Sequence, residues 1–162
     1  PVIGSYNKEQ KKIYELVLKV QKEAISSVKL GQNFEGLQSQ AIRGLTVGLK
    51  KLGILSGRVD NLIKTEAYKD YYMHGIGHWL GMDVHDVGGY KQDGDWRDLE
   101  KGMVMTIEPG IYILDSLEDV DDKWKGIGVR IEDDIVVTES GFEVLTPNVH
   151  RTIEEVEHTV QG

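Results

Sequence analysis

The spacing of apolar residues changes once along this chain, from a helical period to a strand period, and that change restricts the architectures open to it. From residue 8 to about residue 29, Ile13, Val17, Val20, Ala24 and Val28 recur at three- and four-residue steps and draw one apolar stripe along a helix. Asn7 followed by Gln10 reads as a capping box at its start, and Gly31 reads as its stop. A second helix is expected from Asn33, as its cap, to about residue 52, with Leu37, Ala41, Leu45 and Leu49 inside and Gly53 at its end. Beyond residue 70, short strands are expected over 71–73, 104–107, 129–137 and 142–145, separated by glycine-rich turns. Along 129–137 the strand period sets Val129, Ile131 and Ile135 on one side and Arg130, Glu132 and Asp134 on the other. Residues 115–122 read as an acidic, solvated loop, and 153–158 as a short closing helix. Helices first and strands later imply an α+β fold, with helices covering one face of a mostly antiparallel sheet. The expected organisation is one domain over 1–162, mainly helical over 1–66 and sheet-rich over 67–162, where the candidate site lies.

Composition narrows the partners. With 40% hydrophobic side chains among 162 residues the chain can build one real core. Its formal charge of −8 argues against a nucleic-acid partner, which requires clustered Lys and Arg. No apolar run approaches the roughly 18 residues of a membrane span, and PVIGSYNKEQ lacks the apolar core of a signal peptide. The absence of cysteine removes disulfides, thiolate nucleophiles and Cys-ligated zinc, and agrees with a reducing, cytoplasmic setting. Because the sequence begins with Pro1 rather than Met, an upstream part is expected to belong with it.

Chemistry concentrates in three stretches. Three of the five histidines, His74, His78 and His85, fall within twelve residues in HGIGHWLGMDVHDVGGY. A lone histidine is more often structural, but three together among glycines point to a site. The step from His74 to His78 has the spacing of the zinc-binding helix motif HExxH, yet Gly75 replaces its Glu and two glycines disfavour a helix, so that reading fails. Glu108, in MVMTIEPG, stands between an apolar strand and a Pro-Gly turn, where its backbone is well held. Glu132 shares a strand face with Arg130. Each carboxylate taken alone has a bland explanation, a turn residue or a surface ion pair. Together with an imidazole they form an N/O ligand set without thiolate, which suits Mn²⁺, Co²⁺, Fe²⁺ or Zn²⁺ and tilts toward Mn²⁺. Such a carboxylate can bridge two ions roughly 3.5–4 Å apart and activate a shared water.

HGIGHWLGMDVHDVGGY, GMVMTIEPGIYI and GIGVRIEDDIVVTESGFEVLT resemble, in order and spacing, the C-terminal motifs of aminopeptidase P, a proline-specific member of the pita-bread metallopeptidases. IYELVLKVQKEAI and KLGILSGRVDNLI extend the resemblance into the helical part. The resemblance implies the C-terminal portion of a pita-bread fold. It implies metal ligation by His78, Glu108 and Glu132, with Glu132 bridging, and a proton-handling role for Glu108. His74 and His85 match histidines on the substrate side, and Arg130 matches a residue supporting Glu132. The implied substrate is a peptide with proline in second position, and the implied cofactor is a pair of divalent ions, Mn²⁺ favoured. In the family two aspartate ligands precede the first helix, and no Asp of this sequence sits in that motif. The chain by itself is therefore expected to bind at most one ion, weakly, to be inactive, to need the N-terminal segment of its domain, and to self-associate. The alternatives are a prolidase, cleaving Xaa-Pro dipeptides, and a non-catalytic pita-bread binding module. HWLG and the short acidic loop favour the aminopeptidase, and the retained ligands disfavour the binding module.

Overall fold

A computed structural model describes residues 4–162. Helix α1 (Lys8–Ser26) opens on the expected capping box: Gln10 N donates to Asn7 Oδ1 at 2.8 Å and Asn7 N to Gln10 Oε1 at 2.9 Å. It ends at Ser26, earlier than expected. The hydroxyls of Ser26 and Ser27 donate back to the carbonyls of Lys22 and Glu23, taking acceptors at the last turn. Gly31, at φ +76°, instead turns the chain toward Asn33. Asn33 caps α2 (Phe34–Lys51) through Gly36 N at 2.9 Å, as the sequence implies. A short helix, α3 (Val59–Lys64), and a 3-10 turn over Ala67–Asp70 follow, neither of which the sequence reading anticipated.

The expected stripes become the packed faces. Ile13, Val17 and Ala24 of α1 and Leu37, Ala41, Leu45 and Leu49 of α2 are buried. The two helices approach closely where α2 carries glycine: a Cβ on Gly44 would stand 2.9 Å from Val20 Cγ2, and one on Gly48 would overlap Leu16.

The strands are β1 (Lys91–Gln92), β2 (Asp95–Trp96), β3 (Val104–Ile107), β4 (Gly110–Ile113), β5 (Ile127–Arg130), β6 (Asp133–Thr138) and β7 (Gly141–Val144). All pair antiparallel: β3, β6 and β7 in one ladder, β4 with β5, and β1 with β2. The segment carrying His78 lies along the free side of β3, with Leu80 N donating to Val104 O, Thr106 N to His78 O and Glu108 N to Ile76 O. Met105, Ile107, Ile111, Ile113, Ile135 and Val137 carry the sheet's share of the core.

Two strand assignments change, and β1, β2 and β4 are additional to the expected strands. Residues 71–73 are not a strand; the turn before them buries Tyr71 and Tyr72, and an apolar run gives the same signal for buried loop and buried strand. Residues 129–137 are broken at Ile131–Glu132 into β5 and β6. The break faces Glu108–Pro109 between β3 and β4, where Pro109 has no N–H to give a ladder. The β1–β2 hairpin turns on Asp93 and Gly94, both at positive φ, a two-residue Asp-Gly turn that the sequence displays openly. The closing helix α4 (Ile153–Gln161) runs past its expected end.

Candidate metal centre

The paired break in the strands creates the site. Ile107 opposes Asp133 and Gly110 opposes Arg130, so the β3–β6 ladder continued inward by one register step, and the β4–β5 ladder continued by two, both set Glu108 against Glu132. Two like charges directly opposite one another destabilise an antiparallel pair. Burial first, and then the Glu108 charge, push the Glu132 carboxyl above its ordinary value, while Arg130 pulls it the other way.

His78 enters from the free side of β3. Gly77 makes the approach possible, because a Cβ there would overlap the Thr106 carbonyl oxygen and stand 2.7 Å from its carbonyl carbon. His78 N donates to Thr106 Oγ1 at 3.0 Å, and that hydroxyl donates to Glu108 Oε1 at 3.1 Å. The His78 ring has Nδ1 2.9 Å from the Trp79 carbonyl, which can only accept, so Nδ1 carries hydrogen. Nε2 then lies 3.1 Å from Glu108 Oε1, and in the neutral ring it is the nitrogen with a lone pair to offer a cation. Metal-binding histidines are held in this way, with one nitrogen fixed by a carbonyl and the other turned toward the ion.

Ligand atoms of His78, Glu108 and Glu132 lie within 4.8 Å of one another. An imidazole nitrogen and two carboxylates converging with few donors between them fit a divalent cation of the N/O-binding kind. Arg130 is the nearby cationic side chain, its Nε 3.8 Å from Glu108 Oε2, beyond hydrogen-bond range.

The other expected residues surround this group. His85 is exposed and sets its ring against that of His78, centroids 4.3 Å apart and nearly perpendicular. His74 lies further along, its Nδ1 2.8 Å from the Gly75 carbonyl and its Nε2 3.0 Å from the Tyr112 hydroxyl. Arg130, expected to support Glu132, reaches toward Glu108 as well. The segment carrying the histidines is not helical, in keeping with the rejection of HExxH.

Sequence reasoning passed over Tyr112 and Thr106. Tyr112 alternates on β4 with the buried Ile111 and Ile113, so GIYI already placed its side chain opposite the core. Its hydroxyl is raised by burial and lowered by Arg130. Thr106 alternates in the same way with Met105 and Ile107 on β3.

Residues 2–139 match metallopeptidase family M24. The chain belongs to that family. An Xaa-Pro aminopeptidase of Haemophilus influenzae is 52% identical over 158 residues, covering 98% of this chain and 36% of the relative. The mouse Xaa-Pro dipeptidase is 37% identical over an alignment that covers all of this chain and 38% of that protein. Among solved structures, the Pseudomonas aeruginosa aminopeptidase PepP superposes with a TM-score of 0.94 at 52% identity, over 98% of this chain and 36% of that one. The M24 chain described here thus spans about a third of the length of the relatives it matches, and the α+β expectation, with its aminopeptidase P likeness, holds for its fold.

Proposed function

We propose that this chain forms the part of an Xaa-Pro aminopeptidase that presents His78, Glu108 and Glu132 to divalent metal, with Mn²⁺ favoured. The observation that carries the reading is the facing pair Glu108 and Glu132 at the paired strand break, closed by Nε2 of His78. A divalent ion bound there would acidify a water and polarise a substrate carbonyl.

The chain's own residues then divide the work. Glu132, opposite Glu108, would hold the cation together with it, and in the complete domain would take the bridging place that the family resemblance implies. Glu108, held by the Thr106 hydroxyl, keeps an oxygen free to take and return a proton at the attacking water. His74 and His85, on either side of His78, face the substrate and stabilise charge developing on its carbonyl oxygen. Tyr112 fixes the His74 ring through its hydroxyl. Arg130 tempers the negative charge of the carboxylate pair.

Three ligand atoms converge among the described residues, so the 162-residue chain by itself holds one ion at most, weakly, and cleaves little or nothing. Full activity requires the remaining part of the domain, which in the family supplies two aspartates. The prolidase reading has its support in the mouse Xaa-Pro dipeptidase likeness. The cysteine-free composition suits a cytoplasmic enzyme.

The test uses a tripeptide with proline in second position and an Xaa-Pro dipeptide, in Mn²⁺ buffer. The chain is assayed alone and with the portion of the Haemophilus influenzae relative that it does not match. Tripeptide cleavage only after addition supports the aminopeptidase. Preference for the dipeptide moves the assignment to prolidase, and inactivity of a correctly folded assembly moves it to a binding module.

A further inference from the structure

Glu132 sits in the gap between β5 and β6, where neither ladder holds it, and the next residue is unusual for its place. Asp133 begins β6 on the buried face, in line with Ile135 and Val137, and is 2% exposed. Consecutive strand residues point to opposite faces, so Asp133 is anchored behind the sheet while Glu132 reaches toward the metal centre.

The anchor is fully built. Asp133 Oδ2 accepts from Gln21 Nε2 of α1 at 2.6 Å and from Arg151 Nε at 2.6 Å. Asp133 Oδ1 accepts from Thr146 Oγ1 at 2.6 Å and from Arg151 Nη2. Arg151 Nη2 also donates to the Thr146 carbonyl, and Thr146 Oγ1 accepts from Asp134 N at 3.2 Å. The Arg151 carbonyl in turn accepts from Tyr14 Oη of α1 at 2.9 Å. The carboxylate is therefore held by α1, by the segment after β7 and by the residue that leads into α4.

A buried ion pair is a poor way to gain stability, since apolar residues of similar volume often do as well or better. A carboxylate gripped in a bidentate fork gains geometry instead, because the fork fixes both its plane and its position. Gln21 Oε1 remains without a partner among the described residues, a cost the arrangement retains.

We propose that Asp133, locked by Arg151 and Gln21, is a positioning residue for Glu132. It fixes the backbone one residue beyond the ligand and so aims the Glu132 carboxylate at the cation shared with His78 and Glu108. This inference rests on the metal-site reading above. The ligand itself touches the ion; Asp133 acts only through it.

The test compares Mn²⁺ affinity, by calorimetry well below the unfolding temperature, for this chain and for Asp133→Asn and Arg151→Lys. The metal-free thermal midpoint is measured beside it. Lys keeps the charge but loses the fork. Positioning predicts that both variants bind Mn²⁺ about tenfold or more weakly, the scale on which partners behind metal ligands act, with Arg151→Lys the milder. A purely structural role would lower the midpoints and leave the affinity of the folded proteins unchanged, which overturns the proposal. Should Asp133→Asn fail to fold, Arg151→Lys decides the matter alone. Failure of the unaltered chain to bind Mn²⁺ overturns the metal-site reading, and this role with it; binding that survives both substitutions overturns the positioning role only.

Discussion

Replacing Gly77 with alanine adds one methyl group at the closest approach between the His78 segment and β3. The new Cβ would overlap the Thr106 carbonyl oxygen and stand 2.7 Å from its carbon, and both are backbone atoms of a buried strand that cannot swing aside. Relief requires the two segments to part. That lengthens the bonds from Glu108 N to Ile76 O (2.7 Å), from Thr106 N to His78 O (2.9 Å) and from His78 N to Thr106 Oγ1 (3.0 Å). At a net of about 1 kcal/mol for each hydrogen bond, loss of two or three costs about 2–3 kcal/mol, at the upper end of typical overpacking penalties. In a domain of this size that corresponds to a fall of roughly 5–10 °C in thermal midpoint. His78 moves with its segment, so Mn²⁺ affinity falls as well. The control lies two residues away: a Cβ on Gly75 meets nothing nearer than the Gly77 carbonyl oxygen, at 3.7 Å, so Gly75→Ala should fold and bind like the unaltered chain. Scanning calorimetry and Mn²⁺ titration of the two variants provide the comparison. Equal midpoints for Gly77→Ala and Gly75→Ala would refute the reasoning.

Glu132→Gln removes a like charge facing Glu108, so the metal-free chain should gain a few tenths of a kcal/mol, small because Glu132 is exposed, while losing Mn²⁺ binding; paired chemical denaturation and metal titration would show the opposed effects. Glu155 accepts from the Arg151 and Thr152 amides at the start of α4, and these bonds hold its carboxyl down at about 2. A depressed acid stabilises the fold above its unfolded value and loses that contribution as pH falls toward the folded one. Unaltered chain should therefore melt above Glu155→Gln at pH 7, with the gap closing between about pH 4.5 and 2; a gap that stays constant through that window would contradict the cap's role. Met73, Met82, Val84 and Val87 are exposed on and beside the His85 loop, so the separate chain should self-associate, with a mass by light scattering that rises with concentration; a concentration-independent monomer would refute this.

Much of this arrangement is legible in the sequence because short-range rules generate it. Asn7, Gln10 and Asn33 announce both long helices, and the stripes Ile13–Val17–Val20–Ala24 and Leu37–Ala41–Leu45–Leu49 become the packed faces. Burial alternation along 129–137 also survives, since Ile131, Asp133, Ile135 and Val137 are buried in turn. The break at Glu132 does not show in that alternation. It depends on which partner each half finds, β4 or β3, and pairing is a long-range choice that strand period does not encode. The breaking residue, Pro109, was visible, but its effect on the opposite strand was not. Asp133 likewise reads as one acid among three in IEDD, and becomes distinctive only when Gln21 and Arg151 fold against it. The histidines and glutamates could be singled out by type and spacing, whereas Tyr112 and Thr106 emerge only when β3 and β4 are laid beside the His78 segment.

The central claim is that His78, Glu108 and Glu132 form one cation site. Crystals of the chain soaked in Mn²⁺ and measured for anomalous scattering test it most directly. One anomalous peak is expected, within bonding distance of His78 Nε2 and of carboxylate oxygens from Glu108 and Glu132, and no such peak in Glu108→Gln crystals. A soak that leaves this position empty, or that places the ion only on the acidic loop at Asp119, Asp121 and Asp122, would contradict it.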